Sequence, residues 1–167
     1  MSKEIYVFLD VDGVLNGSRT EERTPNGYTG IDDVFLEKLQ KVVDTLSAQI
    51  VLVSDWKDWW EKDPIECDLE AQYLNDRLLE YDLSIIDKTI DVSPELRGEG
   101  ILSWLKAKAS DDCDYLVFDD NLFDYRKHEN LAKHVILTCG GLNLATPLES
   151  EYAPIVGTAL SILGIEP

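Results

Sequence analysis

Five short apolar runs punctuate this chain, at residues 5–9, 50–53, 83–86, 115–118 and 134–137. Runs of that length, rich in β-branched and aromatic residues, read as buried strands. Between them lie longer stretches with apolar residues three and four apart. These predict helices over residues 31–46, a broken stretch at 56–81, then 94–108, 121–130 and 147–163. Pro94 after Ser93 marks a helix start, and Ser110-Asp111-Asp112 a stop. Strands alternating with helices predict an α/β fold: three Rossmann-like layers, a five-stranded, mostly parallel sheet and helices on both faces. No repeat, low-complexity tract or linker interrupts the alternation, so one domain over residues 1–167 is expected. A chain of this length buries roughly 70% of its unfolded surface, enough for a core without staples.

The most informative segment is residues 5–15, IYVFLDVDGVL, an apolar run that stops at Asp10 and Asp12. Ligands of open α/β sheets bind outside the carboxyl ends of the strands. Two acids at alternate positions of such an end therefore mark a candidate site. Three further segments end in polar residues in the same way. Ser54 and Asp55 close IVLVSDWK, Asp119 and Asp120 close YLVFDDNLFD with Asp124 just beyond, and Lys88 follows the third strand in IIDKT. Arg97 lies in SPELRGEGILSWL, early in the helix expected before strand four.

This order resembles the haloacid dehalogenase (HAD) superfamily of phosphohydrolases, whose first motif is a strand followed by Asp-x-Asp-Gly-Val. Within it, the chain is most similar to the small HAD domain of Swiss-army-knife RNA repair proteins. The likeness runs through Asp10–Asn16, Ser54-Asp55-Trp56-Lys57, Arg97 to Trp104-Leu105, Asp119-Asp120 and Gly141-Leu142, roughly residues 5–145. Asp55 stands where that group has a serine, and Lys57 where it has an arginine.

The resemblance implies an Mg²⁺-dependent phosphatase acting through an aspartyl-phosphate. Asp10 is the expected nucleophile and Asp12 the acid and base. Ser54, Asp55 and Arg97 are expected around the phosphate, with Lys88 the other choice for the basic residue. Asp10, Asp12, Asp120 and Asp119 are expected at the metal, Asp120 as a direct ligand and Asp119 or Asp124 acting indirectly. Two carboxylates about 4 Å apart repel by roughly 4 kcal/mol at an effective dielectric near 20. Acids converging in this way call for a hard, oxygen-loving cation. The implied substrate is a phosphomonoester, either a small molecule or a nucleic-acid end. A catalytically silent binding module and a receiver-like phosphoacceptor are the competing readings.

Composition narrows the partners. Acids outnumber bases by 33 to 15, for a net charge of −18. So acidic a surface repels polyphosphate and argues against tight nonspecific nucleic-acid binding. No apolar stretch reaches the ~20 residues of a membrane span. The three cysteines lack metal-ligand spacing, and a cytoplasmic location with reduced thiols is the expectation. Asn26-Gly27, a turn dipeptide, points to a short flap over residues 13–30, too small for a folded cap. Trp56, Trp59 and Trp60 fall at i, i+3, i+4, an aromatic helix face expected to pack on the sheet, with base stacking the alternative.

Overall fold

A computed structural model describes residues 3–142, 145–148 and 151–154. Five strands form one all-parallel sheet in the order β3-β2-β1-β4-β5. They are β1 (Glu4–Leu9), β2 (Gln49–Leu52), β3 (Ile85–Lys88), β4 (Cys113–Asp119) and β5 (Val135–Leu137). Helices α1 (Asp33–Leu46), α2 (Leu69–Leu79), α3 (Arg97–Lys108) and α4 (Glu129–Ala132) cover the two faces. The α/β expectation holds, and the sheet is parallel throughout.

Alternation along the strands divides the core in two. Val7, Leu9, Ile50, Leu52, Leu116 and Phe118 pack with Leu36 and Leu39 of α1 and Leu74 and Leu78 of α2. On the opposite face Tyr6, Phe8, Val51 and Val117 meet Ile101 and Trp104 of α3. The Trp104 ring lies edge-on to Tyr6 and Phe8, with centroids 5.0 and 5.5 Å away. Strand β1 sits at the centre, paired on both sides, so its carboxyl end opens onto the middle of the sheet.

Several boundaries differ from the periodic reading. The stretch at 56–81 becomes a 3₁₀ turn (Asp55–Asp58), a second one (Pro64–Glu66) and then α2. Helix α3 begins at Arg97, not near Pro94: Ser93 closes a turn by accepting from the Leu96 N–H. The cap of α3 comes from Asp124, whose carboxylate accepts from the Gly98 and Glu99 N–H groups at 2.6 and 3.0 Å. The helix expected over 121–130 breaks into a 3₁₀ turn (Tyr125–Lys127) and α4. There Asn121 donates its N–H to Asp119, and Phe123 takes a positive φ of 41°.

The helix expected over 147–163 begins within an antiparallel pair, β6 (Ala145–Leu148) and β7 (Glu151–Pro154), which uses Pro147 as a strand residue. The rest of that stretch lies outside the described residues. Among the described residues no helix is long and apolar enough to cross a membrane.

Candidate active site

The ends of β1, β2 and β4 build the site. Backbone ladder bonds run past the strands and hold the acids in register: Asp10 donates its N–H to Phe118 O, and Thr138 donates its N–H to Asp119 O, each at 2.9 Å. Asp10, Asp119 and Asp120 bring carboxylate oxygens within 4.8 Å of one another. Asp10 and Asp119 are buried, while Asp120 is exposed to the cleft.

One cation faces this group. Arg97, 4% exposed, donates from Nη1 to Asp119 Oδ2 at 2.9 Å and lies 3.2 Å from Asp10 Oδ1. Its Nη2 donates to Asp55 Oδ1 at 3.0 Å, and the guanidinium stacks 4.2 Å from the centre of the Phe123 ring. Arg97 is the first residue of α3, where a positive charge opposes the helix dipole. The acids around it offset that cost.

Charge is nevertheless unbalanced. Burial, then the charge of Asp119, pushes the Asp10 carboxyl up to about 8 despite the opposing pull of Arg97. Partial burial and Asp119 also push Asp120 upward. Among the described residues, Arg97 is the one counter-charge these acids share. A cluster of oxygen donors with surplus negative charge suits a hard divalent cation such as Mg²⁺. Asp10, Asp119 and Asp120 are the residues that would hold it, and the ion would neutralise charge at a bound oxyanion.

The expectation that the side chain of Asp12 joins the metal cluster is corrected. Its carboxylate accepts from Trp56 Nε1 at 3.0 Å and from Asn16 Nδ2 at 2.9 Å. Those donors hold it on the cleft wall, outside the converging trio. Asn16 also accepts from the Gly13 N–H, so it ties the whole turn. Gly13 has φ of 79°, and a Cβ there would lie 2.2 Å from Asp120 Oδ2. Only glycine permits that approach.

Ser54 is buried at the end of β2, and its Oγ accepts from the Trp56 N–H at 3.2 Å. That lone-pair contact leaves the hydroxyl proton for an outside acceptor. Asp55 is exposed and draws one arm of Arg97. Lys88 stands apart: Nζ donates to the carbonyls of Lys57 and Trp60 at 2.9 and 2.6 Å and to Glu61 at 3.1 Å. Three donors meet three acceptors, so Lys88 braces the 55–60 turn and is not the basic residue beside Asp10. Asp124, spent on capping α3, is likewise outside the cluster.

Three positioning residues escaped the sequence reading. Tyr125, fully buried, donates its hydroxyl to Asp119 Oδ2 at 2.6 Å. The Trp56 indole anchors Asp12, and Thr138 Oγ1 donates to Gly13 O at 2.6 Å. The YLVFDDNLFDY string held a signal for Tyr125; nothing local linked Trp56 to Asp12, 44 positions away.

Beside the acids opens a cleft of about 800 Å³, walled in part by Asp12, Asp55, Asp120, Trp56, Trp59 and Tyr28. Residues 17–30 form its rim, closed by a bridge between Arg23 and Thr29. The rim is pinned to α2. Buried Arg77 donates to Ile31 O at 3.1 Å and pairs with Glu22 at 3.2 Å, while Glu70 accepts from the Asn26 N–H at 2.9 Å.

An α/β sheet with acids converging at the ends of its first and fourth strands defines a HAD-type hydrolase domain. Residues 6–147 match the model of one family, and the chain belongs to it: the HAD domain in Swiss Army Knife RNA repair proteins. No curated protein matches the chain. Membership in that family sets aside the receiver reading.

Proposed function

We propose that this domain is an Mg²⁺-dependent phosphomonoesterase that works through an aspartyl-phosphate on Asp10. The observation that carries the reading is the meeting of Asp10, Asp119 and Asp120 within 4.8 Å beside the buried Arg97. An Asp10 oxygen attacks phosphorus in line as the ester P–O bond breaks. Asp12 gives a proton to the leaving oxygen, and later takes one from the water that hydrolyses the acyl phosphate. Arg97 and the Ser54 hydroxyl donate hydrogen bonds to phosphoryl oxygens as charge builds there. Asp10, Asp119 and Asp120 would hold a metal that would further neutralise that charge. The substrate is a phosphorylated small molecule or nucleic-acid end, and the setting is cytoplasmic. A net charge of −18 weighs against tight nonspecific binding to nucleic acid.

One observation favours a silent binding module: Asp55 already occupies an arm of Arg97 that a phosphate would need. Hydrolysis of p-nitrophenyl phosphate, with and without Mg²⁺, separates the two. Wild-type protein is expected to turn over only with the metal, and Asp10→Asn to lose activity. Equal rates in both proteins overturn the enzymatic reading.

A further inference from the structure

Three rings lead away from Asp12 along the cleft wall. The Trp56 indole touches the Asp12 carboxylate, Trp59 lies edge-on to Trp56 at 5.6 Å, and Tyr28 lies 5.5 Å beyond Trp59 at a 35° tilt. Trp56 is buried, but Trp59 is only partly covered and Tyr28 is 55% exposed. Exposed aromatic rings are large apolar surfaces that stabilise a protein little when left in water. Here they face a cleft of a size that takes a small ligand. The free aromatic surface starts about one ring beyond the ring that holds Asp12.

Beyond the same two rings is a second cavity of about 270 Å³, shared by Tyr28 and Trp59 and also lined by Asp68 and Glu70. Glu70 is 1% exposed and one of its oxygens accepts from Asn26, while the other has no hydrogen-bond partner among the described residues. Carboxylates suit N–H donors on a ring edge and repel anions. Among the described residues, the main cleft is lined by Asp12, Asp55 and Asp120 and by no lysine or arginine. Proteins that hold single strands combine stacking rings with a positive groove along the backbone. This cleft has the rings without the groove.

We propose that Tyr28 and Trp59 form a leaving-group subsite for a nucleobase, making nucleoside monophosphates the preferred substrates over phosphorylated strand ends. This rests on the phosphomonoesterase reading above and names its substrate class. The phosphate meets Arg97 and the acidic cluster, the ribose spans the gap, and the base lies on the two rings with its N–H edge toward Asp68 and Glu70.

The test compares kcat/KM for guanosine 5′-monophosphate, ribose 5-phosphate, phenyl phosphate and a 5′-phosphorylated octanucleotide. Wild type is expected to prefer the mononucleotide to all three. In Tyr28→Ala and Trp59→Ala the ratio of mononucleotide to ribose 5-phosphate is expected to fall roughly 5- to 150-fold, the worth of one stacked base. Trp59→Phe is expected to keep most of it. An unchanged ratio in both alanine variants, or an octanucleotide that equals the mononucleotide, overturns the proposal. If wild type hydrolyses none of these, catalysis fails and binding still decides the subsite. The nucleotide, unlike ribose 5-phosphate, is then expected to quench tryptophan fluorescence in wild type and much less in Trp59→Phe; no difference between the two ligands overturns the subsite.

Discussion

Replacing Arg97 by methionine removes the one cation that, among the described residues, sits inside the group of acids. At an effective dielectric near 20, the 2.9 Å contact to Asp119 is worth about 6 kcal/mol before desolvation, while Asp10, protonated at pH 7 without metal, adds no full ion pair. Burying the guanidinium and carboxylates consumes most of that gain. The Asp55 contact adds little, because that side chain is 81% exposed. What the substitution leaves behind is the buried Asp119 carboxylate without its counter-charge, and breaking such a buried ion pair costs about 3–5 kcal/mol. For a chain of this size that lowers Tm by roughly 6–20 °C. Thermal melts in EDTA at pH 7 measure it directly. A site stripped of Arg97 is more negative, so Mg²⁺ is expected to raise the Tm of the variant more than that of wild type. Arg97→Lys keeps the charge without the fork and falls between. Melts of Arg97→Met within 2 °C of wild type, with an equal Mg²⁺ response, would refute the reasoning.

Other outcomes follow from the same contacts. In EDTA the folded protein holds a proton on Asp10 up to about pH 8, whereas the unfolded chain releases it near 3.8. The contribution is intact below the unfolded value and is lost as pH rises toward 8, so urea titrations should show stability declining across that window. Asp10→Asn removes the proton requirement and is expected to be more stable than wild type at pH 7 in EDTA, with a flatter pH profile. Gly13→Ala forces a Cβ into Asp120 at a φ that alanine resists, and isothermal titration is expected to show Mg²⁺ binding lost. Trp56→Phe removes the indole donor from Asp12 and should lower kcat about tenfold or more with KM little changed, measured with ribose 5-phosphate. A KM effect alone would contradict the positioning role.

Much of the fold could be read from local pattern, because apolar runs and helical periodicity are local signals. The five strands of the sheet and the bodies of α1 and α3 were visible that way. Asp10, Asp119 and Asp120 were visible because acids that end buried strands have no other ready explanation, and Arg97 through the family resemblance. Boundaries set by distant groups were not: Asp124 reaches across 26 positions to start α3. Lys88 stood as the second choice to Arg97 in sequence, and the carbonyls of the 55–60 turn show where its charge is spent.

The chain's linear order by itself determined the class of architecture and the supply of carboxylates at strand ends, since side-chain alternation and strand length are properties of neighbouring residues. Tertiary structure alone decided how those carboxylates are divided. It drew Asp119 to Asp10 and Asp120 around one guanidinium, and turned Asp12 away to Trp56 and Asn16. Hydrogen bonds across 44 positions, and the fit of Asp120 against a bare Gly13 backbone, depend on how strands and loops pack in space. No spacing along the chain encodes them.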